Sequence, residues 1–216
     1  MKIKSIKTTK TARYILSGEP SKNIKHLWIV CHGYGQSALG FLNWFKPIFC
    51  EETLIVAPEG LSMFYLEGFN GKVVSSWMTK ENRENEINDY INYIENVVNE
   101  IKPKLNKNIK YNVLGFSQGT ATISRWANQT DLNLNSINLW SGLFPDDLLN
   151  SWKKNILPKL NLIIGDMDPF ISEKSIDQQK IKLTEKGIDF NIETFNGKHT
   201  IDSNTLIKLK HRLQNP

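Results

Sequence analysis

The sequence predicts an α/β fold, a mostly parallel central sheet with helices on both faces and no separate cap domain. Two patterns lead there. Apolar runs of strand length alternate with longer segments of helical spacing along nearly the whole chain. The glycine-bearing motifs then fall directly after those apolar runs, at the carboxyl ends of strands, where open α/β sheets bind ligands. Repeats, low-complexity tracts and Gly/Ser linkers are absent from the sequence, so residues 1–216 are expected to form a single domain.

Taken in order, residues 3–8 and 11–16 carry β-branched residues and threonines and read as a leading hairpin or bent strand. His26 to Cys31 is a continuous apolar run ending at His32-Gly33, the pattern of a strand buried on both faces. Ala38 to Phe49 reads as a helix. Thr53 to Ala57 is the next strand, closed by Pro58. Residues 59–78 are rich in aromatics and glycine and predict no regular structure. Glu84 to Ile101 has apolar residues at 87, 90, 91, 94, 97, 98 and 101, the stripe of an amphipathic helix. Tyr111 to Leu114 is a strand, Thr120 to Asn128 a helix, and Ser136 to Trp140 and Leu160 to Ile164 two further strands. Ser172 to Lys186 is helical, with Gly187 in the position that ends helices in a left-handed turn. Ile188 to Phe195 alternates as a strand does, and Asn204 to Leu213 is a terminal helix.

Composition narrows the function classes. No apolar stretch approaches the roughly 18 residues of a membrane span. The opening MKIKSIKTTKTARY is basic without an apolar core, so no secretory signal is expected and the cytoplasm is the expected compartment. The formal charge is +5 and the pI about 9.1. The lysines are scattered, and the densest stretch, Lys102 to Lys110, lacks stacking aromatics, so nucleic-acid binding is not expected. Cys31 and Cys50 are expected to be reduced, mostly buried thiols. With no Cys-x-x-Cys or Cys/His cluster, no metal site is expected either.

Gly115-Phe116-Ser117-Gln118-Gly119 carries the chemistry. A serine on a sharp strand-to-helix turn presents its hydroxyl, and glycines two residues either side leave room for the crossing chain. Such a serine needs a base, and the base needs a carboxylate to fix its tautomer. Of the four histidines only His199 and His211 follow Ser117. His211 lies in the terminal helix beside Arg212 and reads as a solvated surface residue. His199, in the loop Asn196 to Thr200 after the last strand, is the candidate base. The carboxylate is expected after the 160–164 strand, in Gly165-Asp166-Met167-Asp168-Pro169. Asp168, at the tip of that turn and stiffened by the proline, is favoured over Asp166, which is expected to bond local backbone.

Acyl transfer would also need N–H donors for the developing oxyanion. Gln118, directly after the serine, supplies one. The loop His32-Gly33-Tyr34-Gly35-Gln36-Ser37 supplies the second, with Tyr34 preferred and Gly35 open. His32 itself reads as a structural histidine that bonds loop backbone. In the aromatic segment 61–78, Tyr65 and Trp77 are the candidates to wall an acyl pocket.

The series His32-Gly-Tyr-Gly35, Gly115-Phe-Ser-Gln-Gly119, Gly165-x-x-Asp168-Pro and Gly197-Lys-His199 resembles the phospholipase/carboxylesterase family of α/β-hydrolases, over roughly residues 24–213. That family includes acyl-protein thioesterases and small bacterial carboxylesterases. The resemblance implies a fold without a cap, no cofactor, and hydrolysis of esters or thioesters. Ser117, Asp168 and His199 would be the triad, with Tyr34 and Gln118 as oxyanion donors. Departures fall at Tyr34 (usually leucine), Gln36 (usually aspartate), Thr120 (usually a second glycine) and Ser75–Thr79, where of the thioesterases' Trp-Phe-Asp only Trp77 matches. The expected activity is hydrolysis of carboxylic esters with short to medium acyl chains. A thioesterase or lysophospholipase on the same triad, or a non-catalytic ligand-binding scaffold, are the alternatives. The expected partner is a small-molecule ester, and a homodimer stays open.

Overall fold

The computed structural model describes residues 1–214. Seven strands form one sheet: β1 (Tyr14–Leu16), β2 (His26–Cys31), β3 (Thr53–Pro58), then β6 (Lys110–Phe116), β7 (Leu134–Trp140), β8 (Leu160–Gly165) and β9 (Phe190–Phe195). Their order is β1-β3-β2-β6-β7-β8-β9. All neighbouring pairs are parallel except β1, which runs antiparallel to β3. From β2 the chain steps outward to β3, then returns and builds the other side from β6 onward. The order therefore reverses between β2 and β6, and the crevice at their carboxyl ends is the natural ligand position.

Both sheet faces are buried, which explains why β2 and β3 read as unbroken apolar runs. On one face Leu27, Ile29, Val56, Val113 and Leu139 pack under α2 (Arg83–Ile101), α3 (Gln118–Ala127) and α4 (Glu173–Glu185). On the other, Trp28, Val30, Leu114 and Trp140 pack under α1 (Ala38–Leu42) and α5 (Ser203–Gln214). The apolar stripe predicted for α2 is buried at all seven positions. Gly187 has φ 61°, in the left-handed region expected after α4.

Several elements differ from the sequence reading. Residues 1–13 form no strand, and the leading strand is only Tyr14–Leu16. Ala38 to Phe49 divides into α1 and a 3-10 stretch, Asn43–Ile48, because Pro47 cannot supply a helical N–H. Segment 59–78 is not irregular. It holds an antiparallel hairpin of β4 (Ser62–Tyr65) and β5 (Val73–Ser76). Cys31 is buried, whereas Cys50 is exposed.

The face under α1 and α5 also contains a polar seam. Asn112 and Asn138 are fully buried. Asn135 and Ser136 donate to Asn112 Oδ1 at 2.8 and 2.9 Å, Asn138 Nδ2 donates to the Val113 carbonyl at 2.9 Å, and Asn161 Nδ2 donates to Asn138 Oδ1 at 3.0 Å. Asn138 Nδ2 also donates to Ser136 Oγ on its own strand at 3.0 Å, so these buried amides are matched across and along the strands.

Candidate active site

Ser117 joins β6 to α3 with φ 53° and ψ −118°, a conformation that non-glycine residues rarely adopt. The turn is held by Ser117 N–H donating to the Trp140 carbonyl at 3.0 Å. It is also forced by its neighbours. A Cβ at Gly115 would stand 2.2 Å from the Gly119 carbonyl oxygen, and one at Gly119 would stand 2.1 Å from that of Cys31. Both approaches are far inside van der Waals contact, so only glycine fits. Thr120, where a second glycine would be usual, is accommodated because Gly142 leaves space beside it. The Thr120 hydroxyl lies 2.7 Å from the Ser117 carbonyl and 3.1 Å from that of Leu143, tying the helix start to the loop after β7.

His199 follows β9, and Asp168 follows β8. The register Gly165↔Phe195 sets the two loops side by side. Gly165 lies so near the histidine loop that a Cβ would be 2.4 Å from the Gly197 carbonyl oxygen. Asp168 Oδ2 is 2.8 Å from His199 Nδ1, and Asp168 Oδ1 accepts from Phe170 N–H at 2.9 Å. The Asp168 side chain is fully buried, and that of His199 is 19% exposed. A carboxylate only accepts, so Nδ1 carries a proton, which in the neutral imidazole leaves the lone pair on Nε2. Asp166 does bond backbone, but across the loops rather than locally. Its Oδ1 accepts from Gly197 N–H at 3.0 Å. The structure thus brings Asp168, not Asp166, to the histidine.

Two aromatic contacts hold the imidazole that the sequence reading did not identify. The Phe116 ring lies 4.8 Å and the Phe170 ring 4.7 Å from it, centroid to centroid. Phe116 is the residue before Ser117, so this packing carries the His199 ring to the Ser117 turn. Its place inside the pentapeptide was a usable signal. Phe170, largely exposed, carried none beyond following Asp168-Pro169.

The loop after β2 crosses directly over the serine: a Cβ at Gly33 would be 3.1 Å from Ser117 Cβ. Its amides separate cleanly. Gly33 N–H donates to Gln36 Oε1 at 2.7 Å, and Gly35 N–H donates to the Ser75 carbonyl at 3.0 Å. Gly35 is therefore occupied, whereas the N–H groups of Tyr34, Gln36 and Ser37 have no protein acceptor among the described residues; of these, Tyr34 directly follows Gly33, which packs on Ser117. Gln118 is the first residue of α3, where a helical N–H has no intrahelical acceptor. Gln36, in place of the usual aspartate, thus supplies the acceptor that shapes the loop.

The Gln118 side chain does separate work. Its Nε2 donates to the Met78 carbonyl at 2.9 Å, and its Oε1 accepts from Trp77 N–H at 3.1 Å. It pins the Ser117 turn to the end of β5. Behind the loop, His32 is buried. Its Nδ1 lies 2.7 Å from the Gly33 carbonyl, and its Nε2 accepts from Gly60 N–H at 3.0 Å, which makes it the neutral Nδ1–H tautomer. Glu59, 2% exposed, accepts from Ala38 N–H at 2.9 Å, Ser75 Oγ at 2.7 Å and Arg13 at 3.1 Å. His32 thus has the structural place expected of it, and burial, the largest influence, holds its pKa below the ordinary histidine value against the opposing pull of the Gly33 carbonyl and Glu59.

Trp77 requires a correction. It is 1% exposed, its indole N–H donates to the His32 carbonyl at 2.8 Å, and its ring packs on His32 and Tyr90. It offers no surface to a ligand, because the segment that looked like a loop is a hairpin whose last residues turn into the core. Tyr65 stays half-exposed on β4, and Tyr34 stacks on Phe64 at 5.6 Å. One surface depression, about 980 Å³, is lined by Lys22, Lys25, Cys50 and Glu52 at the amino ends of the strands, away from Ser117.

Solved structures share this fold. Esterase PE8 superposes with TM-score 0.69 at 21% identity, covering 95% of this chain and 99% of its own. Acyl-protein thioesterase 2 of Zea mays does so with TM-score 0.67 at 18% identity, covering 94% and 100%. A phospholipase/carboxylesterase of Dyadobacter fermentans does so with TM-score 0.67 at 18% identity, covering 97% and 99%. No curated protein sequence matches the chain. A sequence profile described as phospholipase/carboxylesterase matches residues 16–215. The chain belongs to the phospholipase/carboxylesterase family, with the α/β-hydrolase fold, and is a carboxylic ester hydrolase.

Proposed function

We propose that Ser117, His199 and Asp168 form a catalytic triad that hydrolyses esters of short to medium acyl chains through an acyl-enzyme. The observation that carries this reading is the strained Ser117 backbone, whose preceding residue Phe116 packs 4.8 Å from the ring of a histidine with Nδ1 already bound to a buried carboxylate. Ser117 Oγ attacks the ester carbonyl carbon and gives its proton to His199 Nε2. The oxyanion forms against the N–H groups of Tyr34 and Gln118, each such donor being worth about 2.7–4 kcal/mol. His199 returns the proton to the departing alcohol, leaving acyl-Ser117. A water then gives a proton to Nε2 and attacks the acyl carbon, releasing the acid and restoring the serine. Asp168 holds the tautomer and stabilises the imidazolium without itself taking the proton.

Substrate size follows from the surroundings. Tyr34, Tyr65 and Phe170 are exposed side chains on the loops and hairpin above the sheet, so acyl groups meet shallow aromatic walls. Each fully buried methylene is worth about 0.8 kcal/mol, and an open wall realises less. kcat/KM should rise modestly from acetyl esters and level off at short to medium chains. A fluorophosphonate probe and a panel of p-nitrophenyl esters and thioesters test the reading. Wild-type protein should label and hydrolyse the esters, and Ser117→Ala should do neither while keeping its fold. Full activity in that variant removes Ser117 as nucleophile, and a steep preference for long-chain thioesters removes the short-chain ester reading.

A further inference from the structure

The net charge of this protein is not spread over it. Residues 1–13 contain Lys2, Lys4, Lys7, Lys10 and Arg13 and no acidic residue, so the formal +5 of the chain resides entirely in them and the remainder sums to zero. This segment precedes the family match, which begins at residue 16. It has no regular secondary structure, and Ile3 and Ile6 on it are each 92% exposed. It is nevertheless placed. Ser5 accepts from Asn85 Nδ2 at 3.3 Å in the first turn of α2, Lys10 Nζ donates to the Leu61 carbonyl at the foot of β4, and Arg13 pairs with Glu59 at 3.1 Å. Ser62 on β4 reaches Glu86 of α2 at 3.5 Å. The basic segment and the β4–β5 hairpin therefore share one side of the molecule. That hairpin exposes Met63, Tyr65, Leu66 and Phe69, the last at 91%.

The geometry points to a docking surface for an anionic phospholipid membrane, formed by the basic segment 1–13 together with the apolar β4–β5 hairpin. Charge complementarity selects the partner. Lysines near an anionic lipid surface are each attracted with an energy equivalent to about a fivefold gain in partitioning. Isoleucines between the lysines, and the apolar hairpin beside them, suit the boundary between headgroups and acyl chains, where amphipathic segments settle. Single-stranded nucleic acid would instead call for stacking aromatics among the basic residues, and residues 1–13 contain none. The inference does not rest on the triad.

Co-sedimentation with vesicles tests it. The protein should partition onto phosphatidylcholine vesicles containing phosphatidylglycerol and not onto pure phosphatidylcholine. Binding should vanish between about 0.1 M and about 1 M salt, as the screening length falls from about 10 Å to about 3 Å. The variant K2Q/K4Q/K7Q/K10Q should bind at least about a hundredfold more weakly. It should still hydrolyse a soluble p-nitrophenyl ester, since these lysines lie outside the site. Phe69→Ser should weaken vesicle binding by about tenfold. Equal binding to pure phosphatidylcholine, unchanged binding in the quadruple variant, or tighter lysine-dependent binding to a single-stranded RNA oligonucleotide than to the vesicles would each overturn it.

Discussion

At the scale of single residues, the site separates groups that chemistry demands from groups that geometry selects. The pentapeptide around Ser117 is legible because its glycines answer to hard contacts, 2.1 and 2.2 Å for the missing Cβ atoms. The choice between Asp166 and Asp168 is of the other kind. Both stand in one turn, and only the 2.8 Å approach of Asp168 to His199 Nδ1 separates their parts, with Asp166 bracing the histidine loop through Gly197. Asp168→Asn should lower kcat by up to about 10⁴, since an amide favours the wrong imidazole tautomer. Asp166→Asn should have a much smaller effect, through loop position alone. Steady-state kinetics of the two variants on one ester checks this, and a reversal of the two effects would reassign the carboxylate.

Elements show where pattern reading stops. The long helix α2 was legible residue by residue, because one apolar stripe against the sheet is a local property of its sequence. The β4–β5 hairpin was not. Its strands are four residues each; β4 alternates in exposure, but Met63, Phe64 and Tyr65 are all apolar or aromatic, and Val74 to Ser76 are buried together, so neither sequence shows an alternation of residue type. What registers β5 is its partners: Ser75 exchanges backbone hydrogen bonds with Gly35 and Gln36, and Trp77 N–H donates to the Gln118 side chain. These contacts carry Trp77 into the core. Trp77→Ala should therefore destabilise the fold by about 3–5 kcal/mol, as other large-to-small aromatic replacements in cores do. The preference among acyl chain lengths should stay unchanged in the folded fraction. Urea unfolding and an ester panel measure the two effects, and a chain-length shift without loss of stability would put the indole back in the pocket.

For the molecule as a whole, the buried histidines set an acid limit to stability. Burial is the largest influence on both His32 and His26 and lowers their pKa values, with Lys110 adding to the effect at His26. The unfolded chain takes up those protons near the unperturbed value of about 6.5, while the folded chain does so only at lower pH. In that window the unfolded state binds more protons, so stability falls as pH falls. The slope should reach at most about 1.4 kcal/mol per pH unit per histidine. Stability should be full above about pH 7 and decline from about 6.5 downward, as read by urea unfolding at a series of pH values. His26→Gln should remove its share of the slope. An unfolding free energy that is constant from neutral pH to about pH 5 would mean that neither histidine resists protonation in the fold.

The sequence by itself determined the parallel sheet, the glycine-flanked serine turn, the place of the histidine and the pair of aspartates. Each is a short-range consequence of residue type: apolar runs long enough for a strand, glycines where a Cβ cannot stand, a titratable side chain just past a strand end. Only the tertiary structure decided which aspartate meets the histidine, which loop amides are occupied, where Trp77 goes, and how asparagines sit in a buried sheet. Those outcomes depend on pairs far apart in the chain, such as Gly35 with Ser75, Gln118 with Met78 and Asn138 with Asn161. A hydrogen bond or close contact between such pairs has no signature in either local sequence, because it is fixed by strand order and register and not by the propensity of either residue.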